Sequence, residues 1–297
     1  MRPEDSVAFQ TVQAALPFAN AGKLKIEVLL YDNTVGKSDP GTLPANVRYE
    51  RATHNAGLAA AYNRALEIAE AEKCTWLLTM DQDTGLPEHY FDRLGEYIFR
   101  VSSDSTIAAI VPQILDGGRL ISPGWWLWDS IPRLLSIRFS GVTRRYCSAF
   151  NSASALRVSA LLAIGGYNPR FWLDCSDMYI YRMFYKNGMH LYVAGDLQVT
   201  HELSIMDMNE RVSLARYRNI LSAGCAFWDL ELGWLAAADF NLRLLYRIFY
   251  KHWRNGHIPA FRQASIDMLR KRVLHSRNRR IEEWMRETDR WVVSSRL

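Results

Sequence analysis

Cysteine is scarce in this chain of 297 residues, and long apolar runs are absent. The four cysteines, Cys74, Cys147, Cys175 and Cys225, are far apart and do not cluster with the seven histidines. That speaks against a disulfide framework and against a structural zinc site. No stretch of about 18 uninterrupted apolar residues occurs. The start, from Met1 to Asp5, carries charges and a proline where a signal peptide needs an apolar run. The expectation is a chain of the reducing cytosol, neither exported by that route nor spanning a membrane. Internal repeats and low-complexity tracts are also missing. What the sequence does have is core material: 49% hydrophobic against 23% charged residues, enough for one large domain or two modest ones and too much for disorder as the main state.

The net charge of +5 is unevenly placed. Residues 243–297 hold 14 Lys and Arg against 5 Asp and Glu, a balance of +9, which leaves the remainder at −4. Such a tail suits an acidic membrane surface or nucleic acid, and equally a solvated helical face.

Short apolar runs alternate with helix-like stretches in the first half, as in α/β domains whose strands are covered on both faces. Residues 25–30 and 76–80 read as strands, 47–50 as a weaker one and 108–111 as another. Between them, Leu58, Tyr62, Ala65 and Ala69 repeat at helical spacing over 57–71. Residues 189–193 and 197–200 read as two strands around a turn at Ala194, Gly195 and Asp196. Residues 116–145, crowded with Gly117, Gly118, Pro123, Gly124, Trp125, Trp126 and Trp128, lack a clean period and read as an irregular insertion or flap. After His201 the pattern is helical and amphipathic to the end.

The sharpest local feature is Asp81 and Asp83, placed directly after the apolar run 76–80. In open α/β sheets the carboxyl ends of strands face the ligand crevice, where two carboxylates can hold a hard divalent cation on a diphosphate. An Asp-rich turn after a strand is also common in proteins that bind nothing. Asp32, after the first apolar run, suits hydrogen bonding to a base or ribose, or an Asx-turn. Asn55 and Gly57 open a helix where backbone N–H groups approach a ligand. Further on, Gly165, Gly166 and Pro169 make a tight turn before Asp174 and Asp177, two carboxylates that also suit helix capping.

Taken together, these features resemble the family 2 glycosyltransferases of the GT-A fold, and within them the rhamnosyltransferase-like members. The matching text is Asp32-Asn33-Thr34, residues 55–63 from Asn55 to Asn63, residues 76–84, Asn151-Ser152-Ala153-Ser154, residues 164–167, Phe171 to Asp177, Arg182 and His201. Arg216-Tyr217-Arg218-Asn219 is similar to an Arg-Tyr-x-Arg-Asn run that follows the catalytic domain in rhamnosyltransferase-like members. The fold implied is a Rossmann-like mixed sheet flanked by helices that binds a nucleotide sugar, over residues 1–220, with a basic amphipathic helical extension over 221–297. The implied activity is inverting transfer of a sugar from a nucleoside diphosphate donor, with Mg²⁺ or Mn²⁺ as cofactor.

Carried over by position, the resemblance makes Asp177 the catalytic base. It puts Asp32, Asn55, Gly57, Asn63 and Asp81 on the donor, and Asp83 and His201 at the metal. The family's usual first strand is missing here, since the chain opens with a helix-like stretch to Phe18. Tyr179 stands where the family commonly has an acidic residue. No Gln-x-x-Arg-Trp run follows the base, which favours adding one or a few sugars over processive synthesis. The implied donor is dTDP-L-rhamnose, the acceptor a saccharide or a lipid-linked one, and the setting surface-polysaccharide or O-antigen assembly. The tryptophans at 125–128 line an acceptor groove or are simply buried, and the basic C-terminal helices lie on the inner leaflet or cap the catalytic domain. A catalytically inactive scaffold of the same fold is the alternative; nucleic acid is not an expected partner, because no zinc-finger or RNP pattern accompanies the basic tail.

Overall fold

A computed structural model describes residues 6–19, 24–34, 40–52, 54–200, 212–251 and 259–294. In chain order it contains α1 (Val7–Ala19), β1 (Val28–Asp32), β2 (Val47–Arg51), α2 (Gly57–Ala71), β3 (Trp76–Thr79), α3 (Tyr90–Arg100) and β4 (Ile107–Asp116). Six short strands follow: β5 (Arg119–Ser122), β6 (Gly124–Leu127), β7 (Ile131–Leu134), β8 (Gly141–Thr143), β9 (Cys147–Ser148) and β10 (Ser154–Arg157). Then come α4 (Val158–Ala163), α5 (Ser176–Lys186), β11 (His190–Thr200), α6 (Leu214–Glu231), α7 (Trp234–Tyr246) with a π-helical continuation over Arg247–Lys251, α8 (Pro259–Leu274) and α9 (Arg277–Ser294).

The main sheet runs β3, β10, β4, β11, β8, with β5 paired to the far end of β4. It is mixed: β10 is antiparallel to both β3 and β4, whereas β11 is parallel to β4 and β8 antiparallel to β11. Strand periodicity of two sends alternate residues to opposite faces. On one face Val111, Leu156, Leu191 and Val193 pack against Tyr62 and Leu66 of α2 and Ile180 and Phe184 of α5. On the other, Ile110, Ala155, Tyr192 and Ala194 pack with Val12 and Ala15 of α1 and Tyr90, Phe91 and Leu94 of α3. Helices therefore cover both faces, which is why β4 is buried over eight consecutive residues.

The strands β1 and β2 form a separate parallel pair, in register from Val28–Val47 to Asp32–Arg51, with no hydrogen bond to the main sheet among the described residues. All five residues of β1 are only half-buried. The first described element is a helix, α1, as expected. Its Ser6 cap ties it to the loop after β3, where the Gln82 carbonyl accepts from the Ala8 N–H at 3.1 Å and from the Ser6 hydroxyl at 2.8 Å.

Two expectations need correction. Residues 116–145 are not irregular: they supply β5 to β8, and β6 forms a small antiparallel sheet with β7 and β9. The strands are three or four residues long, too short for a period to emerge from the sequence. The strands expected at 189–193 and 197–200 are one, β11, which keeps its pairing with β4 through a bulge between Ala194 and Gln198. Gly195 sits in that bulge because a Cβ there would lie 2.8 Å from the Phe139 carbonyl oxygen.

The C-terminal helices build a third core, in which Phe227, Phe240, Leu244 and Trp284 meet Trp126, Tyr146 and Phe171 of the α/β part. Residue 220, taken above as the end of the catalytic unit, falls inside the continuous helix α6. Asp229 is buried in this helical layer between Arg272, at 3.3 Å, and Arg280, at 2.7 Å.

Candidate active site

Strand β3 ends at Thr79, whose buried hydroxyl donates to the Asn151 carbonyl at 2.6 Å. That bond holds the loop before β10 against the end of β3 and brings its side chains to the carboxylate that follows. Ser152 donates to one oxygen of Asp81 at 2.6 Å, and Tyr62, from α2, donates to the other at 3.2 Å. Burial first, and the Asp81 charge second, push the Tyr62 hydroxyl well above its ordinary pKa, so it remains a donor. Asp83 lies two residues on, exposed at the turn closed by the Thr84 N–H on the Asp81 carbonyl.

Asp177 enters from the other side, in the first turn of α5. Its carboxyl is pushed up to about 7, chiefly by burial and further by the nearby Asp81 and Asp174 charges. The Met178 N–H, donating to Asp177 Oδ1 at 2.7 Å, opposes the rise. An acid whose ionised and neutral forms are nearly balanced at neutral pH is suited to proton transfer. The backbone on both sides of the site is strained: Ala153, beside Ser152, and Cys175, two residues before Asp177, have φ of 55° and 63°. Each costs on the order of 1 kcal/mol in a non-glycine residue, and only surrounding contacts hold it. The Asn151 amide provides one of them, bridging the Tyr167 and Ser176 hydroxyls at 3.0 and 3.3 Å.

The other expected residues form a second group. Asp32 accepts from the Thr34 N–H at 2.8 Å and the Tyr49 hydroxyl at 2.7 Å. Asn33 spans the start of α2, bonding the Ala56 N–H at 3.3 Å and the Gly57 carbonyl at 3.2 Å. Asn55 accepts from the Gly57 N–H at 3.0 Å. The N–H groups at the start of α2, expected to face a ligand, are turned to the protein instead: Leu58 and Ala59 donate to the Trp172 carbonyl at 2.6 and 3.2 Å. Gly57 permits this approach, since at φ +84° its Cβ would sit 2.5 Å from that oxygen and 2.9 Å from the indole. Asn63 clamps the backbone of Tyr167 by both its N–H and its carbonyl, each at 2.8 Å, which fixes the turn before Asp177.

The loop 170–175 is thus gripped on one side by α2. On the other side, Arg216 pairs with Asp174 at 2.9 Å, and Asn219 donates to Asp174 while accepting from the Trp172 indole at 3.1 Å. Trp291 of α9 stacks on Trp172 at 4.2 Å. Tyr62, Ser152 and Trp172 stand within the matching text, but reading the sequence gave none of them a role in the site. Ser152 stands in the small polar run before β10, which is the one local signal for it. Tyr179, standing where the resemblance calls for an acid, packs against Phe171 at 5.5 Å. Arg182 lies over the Tyr146 ring at 4.8 Å and near Asp129 at 3.7 Å, holding the β6–β7 turn.

His201 lies outside the described residues. The end of β11 nevertheless reaches the loop after β3, where Gly85 bridges to Thr200. Among the described residues no three Asp, Glu, His or Cys side chains cluster tightly enough to hold an ion unaided. Mg²⁺ keeps several waters and takes one or two carboxylates plus substrate phosphates, and the exposed Asp83 beside Asp81 fits that looser demand. Of the tryptophans at 125–128, Trp126 is buried in the helical core and Trp128 is exposed.

No protein-family model matches the chain, and no curated protein does. Among solved structures it is similar to GalNAc-T7 crystallised with UDP, GalNAc and Mn²⁺, with a TM-score of 0.52 and 15% identity over 90% of this chain. The chain spans about half of that structure, 53% of its length. TarS residues 1–349 from S. aureus align over 97% of this chain and 88% of that one, at 13% identity and a TM-score of 0.48. The likeness to GalNAc-T7, together with the mixed sheet covered by helices on both faces, defines an α/β protein of the GT-A type.

Proposed function

We propose that this chain is a glycosyltransferase that takes its sugar from a nucleoside diphosphate donor and uses Asp177 as the base. The observation that carries the reading is the pairing of Asp81, fixed by Tyr62 and Ser152, with an Asp177 carboxyl poised at about 7. Asp81 orients the donor through its ribose or sugar, and Asp32 serves the base. The Asp177 carboxylate takes the proton from the acceptor hydroxyl as that oxygen attacks the anomeric carbon. One displacement with one base inverts the configuration there, and the nucleoside diphosphate leaves. Asp83, with His201, would hold Mg²⁺ or Mn²⁺, which supplies charge neutralisation of the leaving diphosphate. GalNAc-T7, the structure of like fold, was solved with UDP and Mn²⁺, which supports this class of donor and cofactor. The resemblance of the sequence to rhamnosyltransferases supports dTDP-L-rhamnose as the donor and surface-polysaccharide assembly, such as O-antigen, as the setting.

Contact with an anionic membrane surface belongs to the same reading. Helix α7 and its continuation bury Ala236, Phe240, Leu244 and Ile248, and leave Trp234, Leu242, Tyr246 and Phe249 exposed by 57% or more. Arg243 and Arg247 interleave with them, the pattern of a helix lying in a lipid interface. No helix among the described residues is long and apolar enough to cross a membrane. The inner face, where a lipid-linked acceptor is displayed, is the location we assign.

One observation favours a non-catalytic scaffold instead: the β1–β2 pair that carries Asp32 is not hydrogen-bonded to the sheet that carries Asp81. Calorimetric titration with dTDP, UDP and GDP, each with and without Mg²⁺ or Mn²⁺, separates the two. The transferase reading expects metal-dependent binding of one nucleotide, lost in Asp83→Ala. Absence of binding for all three overturns it in favour of the scaffold.

A further inference from the structure

Between Tyr167 and Asp177 the chain is tied to the C-terminal helices at four of its side chains. Arg170 pairs with Asp289 at 2.7 Å and donates to Thr288 at 3.2 Å, both on α9. The Phe171 ring lies 4.9 Å from that of Trp284, and the Trp172 indole stacks on Trp291 and donates to Asn219 of α6. Asp174 is buried and has both carboxylate oxygens taken by α6: Oδ1 lies 2.9 Å from Arg216, and Oδ2 accepts from the Asn219 amide. Arg216 and Asn219 stand three residues apart on a helix, hence on one face. They meet a carboxyl that burial pushes up, and both oppose that rise.

The residue after Asp174 is strained. Cys175 keeps a φ of 63°, costly for a residue other than glycine, between two anchored neighbours: Asp174 on α6, and Ser176, whose hydroxyl accepts from the Asn151 amide at 3.3 Å. Such a backbone persists only while its surroundings over-determine it. Released on the Asp174 side, Cys175 returns to an ordinary φ, and Asp177, two residues on in the first turn of α5, moves with it.

We propose that Arg216 and Asn219 are positioning residues for Asp177, acting through Asp174, so that the C-terminal helical layer is part of the active site and not an appendage to it. The proposal takes its catalytic meaning from the reading of Asp177 as the base; the positioning itself does not depend on that reading. The groups that interact with the Asp177 charge are Asp81 after β3, Tyr62 of α2, Tyr146 before β9, Tyr167, Asp174 and Cys175 before α5, and Tyr181 of α5. Burial holds the four phenols and the thiol neutral, so the two carboxylates are the anions that raise it. A movement of Asp177 towards solvent therefore lowers its carboxyl, whatever reaction it serves.

The test compares the full chain with Asn219→Ala, which leaves every charge in place, and with Arg216→Gln. Two readouts are taken on each: labelling of the four cysteines by N-ethylmaleimide, resolved by peptide mass spectrometry, and titration of Asp177 by carboxyl NMR. In the unaltered chain Cys175 should label slowly, because burial holds its thiol well above the ordinary range. Loss of either contact to the Asp174 carboxylate should speed labelling of Cys175 by about tenfold through local opening, with the buried Cys147 unchanged. It should also bring the Asp177 carboxyl down from about 7 towards its ordinary 3.8. Arg218→Ala, an exposed neighbour on the same helix, should alter neither readout. Labelling that quickens at Cys147 as much as at Cys175 overturns the proposal, since the helices then only stabilise the fold. An Asp177 titration that stays at about 7 overturns it too, as does a fall without faster Cys175 labelling, which is an effect of charge alone. Should Arg216→Gln fail to fold, Asn219→Ala, the milder change, carries both readouts. If no nucleotide binds while both readouts come out as expected, the transferase reading fails and the positioning stands.

Discussion

Replacing Asp177 with asparagine keeps the shape of the side chain and removes its charge, and the consequence depends on pH in a calculable way. The carboxyl moves from its ordinary 3.8 to about 7 on folding. Below the ordinary value both folded and unfolded chains hold the proton, so the shift has no effect against acid. Between the two values the unfolded chain ionises while the folded one keeps its proton, and stability falls as pH rises. Above about 7 the folded protein carries the full cost of a charge that is half-buried and faces Asp81 and Asp174. At about 1.4 kcal/mol per pKa unit, the gap sets a ceiling of about 4 kcal/mol. Solvent near a partly exposed carboxyl lowers that, and about 2–4 kcal/mol is expected. Urea unfolding of both proteins at about pH 5 and about pH 8 spans the upper two of those units, at most about 3 kcal/mol: Asp177→Asn should gain on the wild type by about 1–3 kcal/mol as pH rises. A difference between the two proteins that stays constant across that range would refute the assigned environment. Where the native protein transfers sugar, its rate should rise with pH through about 7, and the asparagine variant should bind donor but not turn over.

Three further outcomes follow from other parts of the fold. Gly57→Ala drives a methyl group to 2.5 Å from the Trp172 carbonyl at a positive φ, and should cost about 2–4 kcal/mol in thermal or denaturant unfolding; an unchanged melting temperature would mean that the loop approaches α2 less closely. Asp229→Ala strands Arg272 and Arg280 in the helical layer and should destabilise by about 3–5 kcal/mol, whereas a loss nearer to that of a surface ion pair would show that the pair is hydrated. Trp234→Ser combined with Phe249→Ser should weaken binding to anionic vesicles by about 2–4 kcal/mol while leaving the fold intact; co-sedimentation equal to the wild type would remove α7 from the membrane contact.

Local pattern was enough for the elements whose signals are local. Helix α2 occupies the span that Leu58, Tyr62, Ala65 and Ala69 mark out, and β3 begins at Trp76, where the apolar run begins. Among the described residues the basic, amphipathic end of the chain is helical, and Asp177, in the first turn of a helix, comes near enough to Asp81 for the one charge to act on the other. Alternation of apolar and polar residues, or a helical repeat, is a property of a few neighbouring residues and is written directly in their order.

Tertiary structure decided what those residues are used for. Gly57 and Asn63, plausible donor contacts by position, leave room for the Trp172 carbonyl and clamp the Tyr167 backbone, because the loop 164–175 folds back onto α2 from about a hundred residues away. Tyr62 reads as one more apolar position of a helix until Asp81 is brought within 3.2 Å of its hydroxyl. Ser152 acquires its role only when β10 pairs antiparallel with β3 and carries the preceding loop to the end of that strand. The raised Asp177 carboxyl depends on burial and on two other carboxylates, none of which its sequence neighbourhood reports in full. Charge, desolvation and hydrogen bonding act over a few ångströms of space, and only chain crossing brings residues so distant in sequence within that range.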